Sequence, residues 1–141
     1  MKILYNYVNG IAKCEILDID NTSYVGEAHC HPEDKDMMNE KTGLYIAETR
    51  ANIKFLKHLI KESKKELKSL IDFHSLLKFN PYYDENNRET KLLIKEIKRR
   101  KKDIEENKKI LKDMQFSLKE YIAQKDEFYQ KIRKNRNKGQ K

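Results

Sequence analysis

From Gly43 to Lys78 the chain contains no proline and no further glycine, and Ile53, Leu56, Ile60, Ser63, Leu67, Leu70, His74 and Leu77 recur at alternating spacings of three and four residues. That period fits an α-helix packed along one seam, because a strand alternates every two residues. Asn80-Pro81 ends the run: Pro81 has no amide to donate and biases Asn80 away from helical geometry, while Asp84 or Asn87 is placed to cap a second helix. No breaker then occurs to about residue 134, and Ile97, Ile104, Leu111, Leu118 and Ile132 fall seven or fourteen apart. Two helices are predicted, over 43–79 and 84–135, folded back on each other at 80–83. Equal rise along both places residues whose numbers sum to about 163 opposite one another. The aromatic segment Tyr121, Ile122, Phe128, Tyr129, Ile132 therefore overruns the first helix.

The opening forty residues follow a different period. Tyr5-Asn6-Tyr7-Val8 leads into Asn9-Gly10 and out through Ile11-Ala12-Lys13-Cys14, and Asn-Gly suits a type I′ turn, in which both central residues take positive φ. A two-residue turn fixes the register: Val8 opposite Ile11, Tyr7 opposite Ala12, Tyr5 opposite Cys14, Ile3 opposite Ile16. Ile3, Tyr5, Tyr7, Ala12, Cys14 and Ile16 then share one face, predicted to be buried. A turn at Asp20-Asn21-Thr22 introduces a third strand over 23–30, with Tyr24, Gly26, Ala28 and Cys30 on one side. Three strands need a cover, and the aromatic end of the second helix is the expected lid for Tyr5, Tyr7 and Cys14.

Charge divides the chain at the same place. Residues 1–40 hold Lys2, Lys13 and Lys35 against eight carboxylates, a net of −5, so the remainder carries +13 of the overall +8. An anionic partner is drawn to the second part and repelled by the first. On the predicted hairpin Lys57, Lys61, Lys64, Lys65 and Lys68 cluster on the first helix, and Lys98-Arg99-Arg100-Lys101-Lys102 on the second. The antiparallel alignment sets these two clusters side by side as a basic collar, which suits phosphate backbones through counterion release. Lys131, Arg133, Lys134, Arg136, Lys138 and Lys141 add a basic tail. Glu62, Glu66, Asp103, Glu105 and Glu106 interleave with the collar and offset part of it. Between Ile97 and Ile110 only Ile104 is strongly apolar, a seam thin enough to call for a further partner.

Catalytic signatures are missing. The sequence has no phosphate loop, Gly-x-Gly-x-x-Gly, His-Glu-x-x-His or Gly-x-Ser-x-Gly, and four glycines leave little for a backbone cradle. His29-Cys30-His31-Pro32-Glu33-Asp34 contains metal-ligand chemistry, but adjacent strand residues point to opposite faces and no second Cys-His pair completes a tetrahedral site. No metal or cofactor is therefore assigned. Two cysteines make no disulfide framework and fit a reducing compartment, and no apolar run is long enough to span a bilayer.

Gly26-Glu-Ala-His-Cys-His-Pro-Glu-Asp-Lys-Asp followed by Gly43-Leu-Tyr-Ile-Ala-Glu-Thr-Arg-Ala51 resembles a strand-loop-helix segment of small accessory proteins of Firmicutes phages and prophages. The resemblance covers residues 26–51 and implies a setting, in which some proteins of this size act against host defences. It transfers no functional residue. Read from the residues themselves, Gly43 and Ala47 allow a helix to approach the sheet closely, and Arg50 pairs with an acid of the His-Pro-Glu-Asp loop.

The sequence thus predicts an α+β fold: a three-stranded antiparallel meander (2–30), a loop (31–42), a long coiled-coil-like helical hairpin, and a basic flexible tail (136–141), all but the tail forming one domain. The expected function is non-enzymatic: binding and blocking a host defence protein or nucleoprotein in the bacterial cytoplasm, through Lys61, Lys64, Lys65, Lys68, Lys98, Arg99, Arg100, Lys101 and Lys102. The alternative is an oligomeric sponge for a cyclic nucleotide, held by His29, His31, Arg50, Tyr5 and Tyr7; a third is a structural, nucleic-acid-binding helical phage protein. A homo-oligomer built through sheet edges or the second helix is expected in each case, with no membrane partner.

Overall fold

The computed structural model describes residues 1–29 and 40–139. Three strands, β1 (Lys2–Val8), β2 (Ile11–Leu17) and β3 (Ser23–His29), precede two helices, α1 (Glu40–Lys78) and α2 (Arg88–Gly139). The architecture is α+β, an N-terminal antiparallel meander followed by a helical hairpin. Two compact units divide it, a sheet unit (1–55 with 112–141) and a hairpin unit (56–111).

In the sheet unit the strand order is β1-β2-β3. Asn9 (φ 52°) and Gly10 (φ 80°) take the left-handed conformations that a type I′ turn demands. The turn delivers the predicted register, Tyr7 opposite Ala12, Tyr5 opposite Cys14 and Ile3 opposite Ile16. The next turn closes through Asp18 N–H to the Thr22 carbonyl (3.0 Å) and Asn21 N–H to the Asp18 carbonyl (3.0 Å), with Asn21 left-handed at φ 63°. Cys14 then pairs with Gly26 and Ala12 with Ala28. The predicted strand position of Cys30 lies outside the described residues.

The cover of the sheet differs from expectation. The core joins Ala12, Cys14, Ile16, Tyr24 and Ala28 to Ala47 and Ala51 of α1, with Leu44, Ile46 and Phe55 packed against them. The first turns of α1, not the aromatic end of α2, close this face. The physical reason is a run of small residues: a methyl on Gly26 would overlap the Ala47 carbonyl oxygen and stand 2.5 Å from the Ala51 nitrogen, so helix backbone lies directly on strand backbone. On the same side, a methyl on Gly43 would come to 3.0 Å from Ala12 Cβ and 3.6 Å from the Tyr7 ring. Tyr24 and Phe55 meet edge to face at 5.2 Å. Burial raises the Cys14 thiol pKa, reinforced by the Glu48 carboxylate.

One helix cannot cover three strands. Ile3 and Tyr5, predicted to be buried with Cys14, are 39% and 52% exposed, because the buried α1 residues Ala47 and Ala51 join the core residues of β2 and β3. The segment assigned as the lid instead places Tyr121 on Tyr45 of α1 at 4.6 Å, with Lys125 Nζ 5.5 Å from the Tyr121 ring centre. The α2 helix also runs to Gly139, through residues read from sequence as the start of a tail.

In the hairpin unit both seams form as the spacing requires. Ile60 and, on α2, Ile97 and Ile104 are buried, and Leu56, Ser63, Leu67, Leu70, His74 and Leu77 are half-buried. The turn satisfies its own backbone: Asn80 Oδ1 accepts from Tyr82 N–H (2.9 Å) and the Asn80 carbonyl from Tyr83 N–H (3.0 Å). Asn87, rather than Asp84, caps α2, its Oδ1 accepting from Glu89 N–H at 3.0 Å. His74 Nε2 lies 3.0 Å from the Tyr83 hydroxyl, which accounts for a polar residue in the seam beside the turn.

Candidate functional site

Lys57, Lys61, Lys64 and Lys68 sit at i, i+4, i+7 and i+11, a spacing that lines one stripe of α1. With Lys65 they surround an open groove of about 400 Å³ floored by Ile60. Lys65 reaches Glu62 at 3.4 Å. Among the described residues, no carboxylate lies within ion-pairing distance of Lys57, Lys61, Lys64 or Lys68. Five ammonium groups on flexible stems around an apolar floor form a concentrated positive surface.

The α2 half of the collar is organised differently. Arg99 holds both oxygens of Glu96, Nη2 to Oε1 at 2.6 Å and Nε to Oε2 at 3.0 Å, and also reaches Asp103 at 3.4 Å. Arg100 donates to Glu96 at 3.0 Å and bridges to Glu66 of α1. This bridge puts the two basic clusters at one level of the hairpin, as the antiparallel alignment requires. Two guanidiniums pull the Glu96 carboxyl down to about 2, chiefly through their hydrogen bonds, first from Arg99 and then from Arg100. Hydrogen bonding to Glu96 raises the pKa of Arg99, and hydrogen bonding first to Glu66 and then to Glu96 raises that of Arg100. Arg99 is therefore tied to carboxylates of its own helix and Arg100 links α2 to α1, the two being offset by three carboxylates, while Lys98, Lys101 and Lys102 project into solvent. The uncommitted charge of the collar is lysine.

A second feature of this unit was not read from sequence. Phe73, Leu76, Phe79 and Tyr82, at the turn end of the hairpin, are 53%, 69%, 85% and 90% exposed. Large aromatic and aliphatic side chains at such exposure are the composition of a protein-binding patch. The signal was present in the spacing: Phe73 and Leu76 fall off the seam set by Leu70, His74 and Leu77, so the helix period turns them outward.

Within one chain, the residues expected to hold a nucleotide stand on different faces of the sheet. His29 belongs to the odd-numbered positions of β3, whose side chains stand on the face opposite Tyr24 and Ala28, while Tyr5 and Tyr7 stand on the helix-covered face. The pleat thus separates the histidine from the tyrosines. Arg50 Nη1 donates to the Glu27 carbonyl at 2.6 Å. The predicted pairing of Arg50 with the His-Pro-Glu-Asp loop lies outside the described residues. His29 Nε2 lies 3.2 Å from the Glu27 carboxylate. Tyr5 lies beside Glu48, and burial with that carboxylate raises its phenol pKa. His31, with the rest of the His-Pro-Glu-Asp segment, lies outside the described residues.

No protein-family model matches this chain, and neither does any curated protein or solved structure. Among the described residues, no helix is long and apolar enough to cross a membrane.

Proposed function

We propose that this chain is a non-enzymatic phage or prophage accessory protein that binds a nucleic-acid-carrying component of a host defence system, in the host cytoplasm, and blocks it by occlusion. The observation that carries the reading is the lysine groove of α1, four of whose five ammonium groups have no carboxylate partner among the described residues. Ammonium groups on flexible stems bind phosphate backbones as point charges, without reading sequence. A surface already carrying nucleic acid attracts them, whereas an empty nucleic-acid channel, itself basic, repels them. The exposed Phe73, Leu76, Phe79 and Tyr82 supply the complementary element, apolar anchors for the protein part of a nucleoprotein. The sequence resemblance supports the setting, and the absence of catalytic motifs in the sequence favours blocking over chemistry.

The test is a cleavage assay with a purified nucleic-acid-guided nuclease, to which the protein is added in stoichiometric amounts. Wild-type protein is expected to stop cleavage, and the variant Lys61→Glu/Lys64→Glu/Lys68→Glu to leave it running with its helical circular-dichroism spectrum intact. All three substituted side chains are exposed, so the fold tolerates the change. Equal inhibition by both proteins, or none by either, contradicts the proposal.

A further inference from the structure

The two edges of the sheet are finished differently. The two-residue turn makes Val8 and Ile11 a hydrogen-bonded pair, so even-numbered residues of β1 direct their backbone groups to β2, and odd-numbered ones direct theirs to the outer edge. Carried through β2, the same alternation sends the backbone groups of Val25 and Glu27 to the outer edge of β3. Both are met there: the Val25 carbonyl accepts from Lys54 Nζ at 2.5 Å and the Glu27 carbonyl from Arg50 Nη1 at 2.6 Å. One turn of α1 thus caps two outward carbonyls of the β3 edge with cations.

At the other edge, β1 is seven residues long, pairs with β2 without a bulge, and contains no proline or glycine. Its one charge is Lys2, at its end. Ile3, Leu4, Tyr5 and Val8 are 39%, 43%, 52% and 54% exposed. The usual protections of an edge, namely a central lysine, proline, a bulge or a short strand, are absent from it.

We infer that β1 pairs antiparallel with β1 of a second copy of this chain, joining two three-stranded sheets into one of six strands about a two-fold axis at Leu4. The sequence of the strand selects both the partner and the register. Backbone groups that face outward belong to odd residues, so the axis passes through a residue, with Leu4 or Tyr5 nearest the middle. An axis at Tyr5 sets Leu4 against Asn6 and Lys2 against Val8, apolar against polar in both pairs. An axis at Leu4 sets Leu4 against Leu4 and Lys2 against Asn6 on one face, and Ile3 against Tyr5 on the other, where Ile3 and Tyr5 exchange their backbone N–H and C=O groups across the axis. No like charges are opposed, and the half-exposed Ile3 and Tyr5 gain a partner on the same face. This self-complementarity is what an isologous two-fold contact requires.

The experiment combines light scattering over about a hundredfold concentration range with site-specific cross-linking of the full chain. Wild-type protein is expected to be a dimer, and Leu4→Lys, which places two ammonium groups on the axis, to raise the dimer dissociation constant by about a hundredfold. Leu4 is exposed on the outer face, so the monomer's circular dichroism stays unchanged. Leu4→Cys in a Cys30→Ser background is expected to form an intermolecular disulfide on mild oxidation. Opposed residues of a non-hydrogen-bonded pair stand about 4.5 Å apart at Cα, within disulfide reach. Asn6→Cys, on the same face but off the axis, is expected not to link, and buried Cys14 does not compete. A monomer at every concentration overturns the inference, as does a dimer that Leu4→Lys leaves intact or Leu4→Cys fails to link.

Discussion

At the scale of single residues, Gly26 determines how the sheet is covered. Its missing Cβ lets the α1 backbone at Ala47 and Ala51 lie against β3, and this close approach positions Arg50 and Lys54 to reach the β3 carbonyls. Gly26→Ala forces that backbone away, and a loss of about 3 kcal/mol in urea unfolding is expected, the upper part of the usual cost of overpacking; a loss below about 0.5 kcal/mol, the scale of a neutral surface change, contradicts the contact. Asn9-Gly10 was legible in the sequence because positive φ is a local demand that the dipeptide itself satisfies. The role of Gly26 was not, because it depends on a helix that begins fourteen residues later and on which of its small residues faces the strand. A pH effect also belongs here. Glu96 titrates at about 2 in the folded protein against 4.5 for the ordinary group, so its contribution is complete above 4.5 and disappears as pH falls from 4.5 toward 2. The melting temperature of the wild-type protein should fall across that window more steeply than that of Glu96→Gln, as circular dichroism can record. Parallel curves exclude the Arg99 and Arg100 clamp.

At the scale of elements, α1 performs two tasks in succession. Its first turns cover the sheet through Ala47 and Ala51, and its later turns carry the seam residues from Leu56 to Leu77 and the lysine stripe. The seams were legible because the three-four spacing persists over many turns and Asn80-Pro81 punctuates it. The lid was misassigned because large aromatic residues were expected to provide the cover, whereas small residues provide it by letting backbones approach. The thin stretch of α2 has its own explanation in Arg100, which spans the helix pair to Glu66 where an aliphatic residue would otherwise pack. The helix starts admit a direct check: Asn87→Ala removes the α2 cap and should cost about 1 kcal/mol, whereas Asp84→Ala should cost less. At the turn end, Phe79→Ser/Tyr82→Ser should leave stability within about 0.5 kcal/mol, since both side chains are exposed. The same variant should weaken inhibition of the nucleoprotein target at least about tenfold, as loss of an aromatic anchor does; unchanged inhibition removes the apolar tip from the contact.

At the scale of the whole molecule, charge is the property that links sequence to proposed action. Residues 56–111 contain sixteen Lys and Arg against ten Asp and Glu, so this unit carries +6 of the overall +8. The sequence alone showed a basic chain after residue 40, but not the division of its charge into arginines tied up with Glu96, Glu66 and Asp103 and lysines left to solvent. The division depends on rotamers and on the facing helix, which spacing does not encode. The most direct measurement is the salt dependence of binding to a labelled nucleic-acid duplex, compared between the wild type and Lys61→Glu/Lys64→Glu/Lys68→Glu. With the five groove lysines each neutralising a phosphate, log K is expected to fall with log salt at a slope of about −4.5, and the variant's slope to be shallower by about 3. A shallow slope shared by both proteins would show that the lysine groove is not the contact.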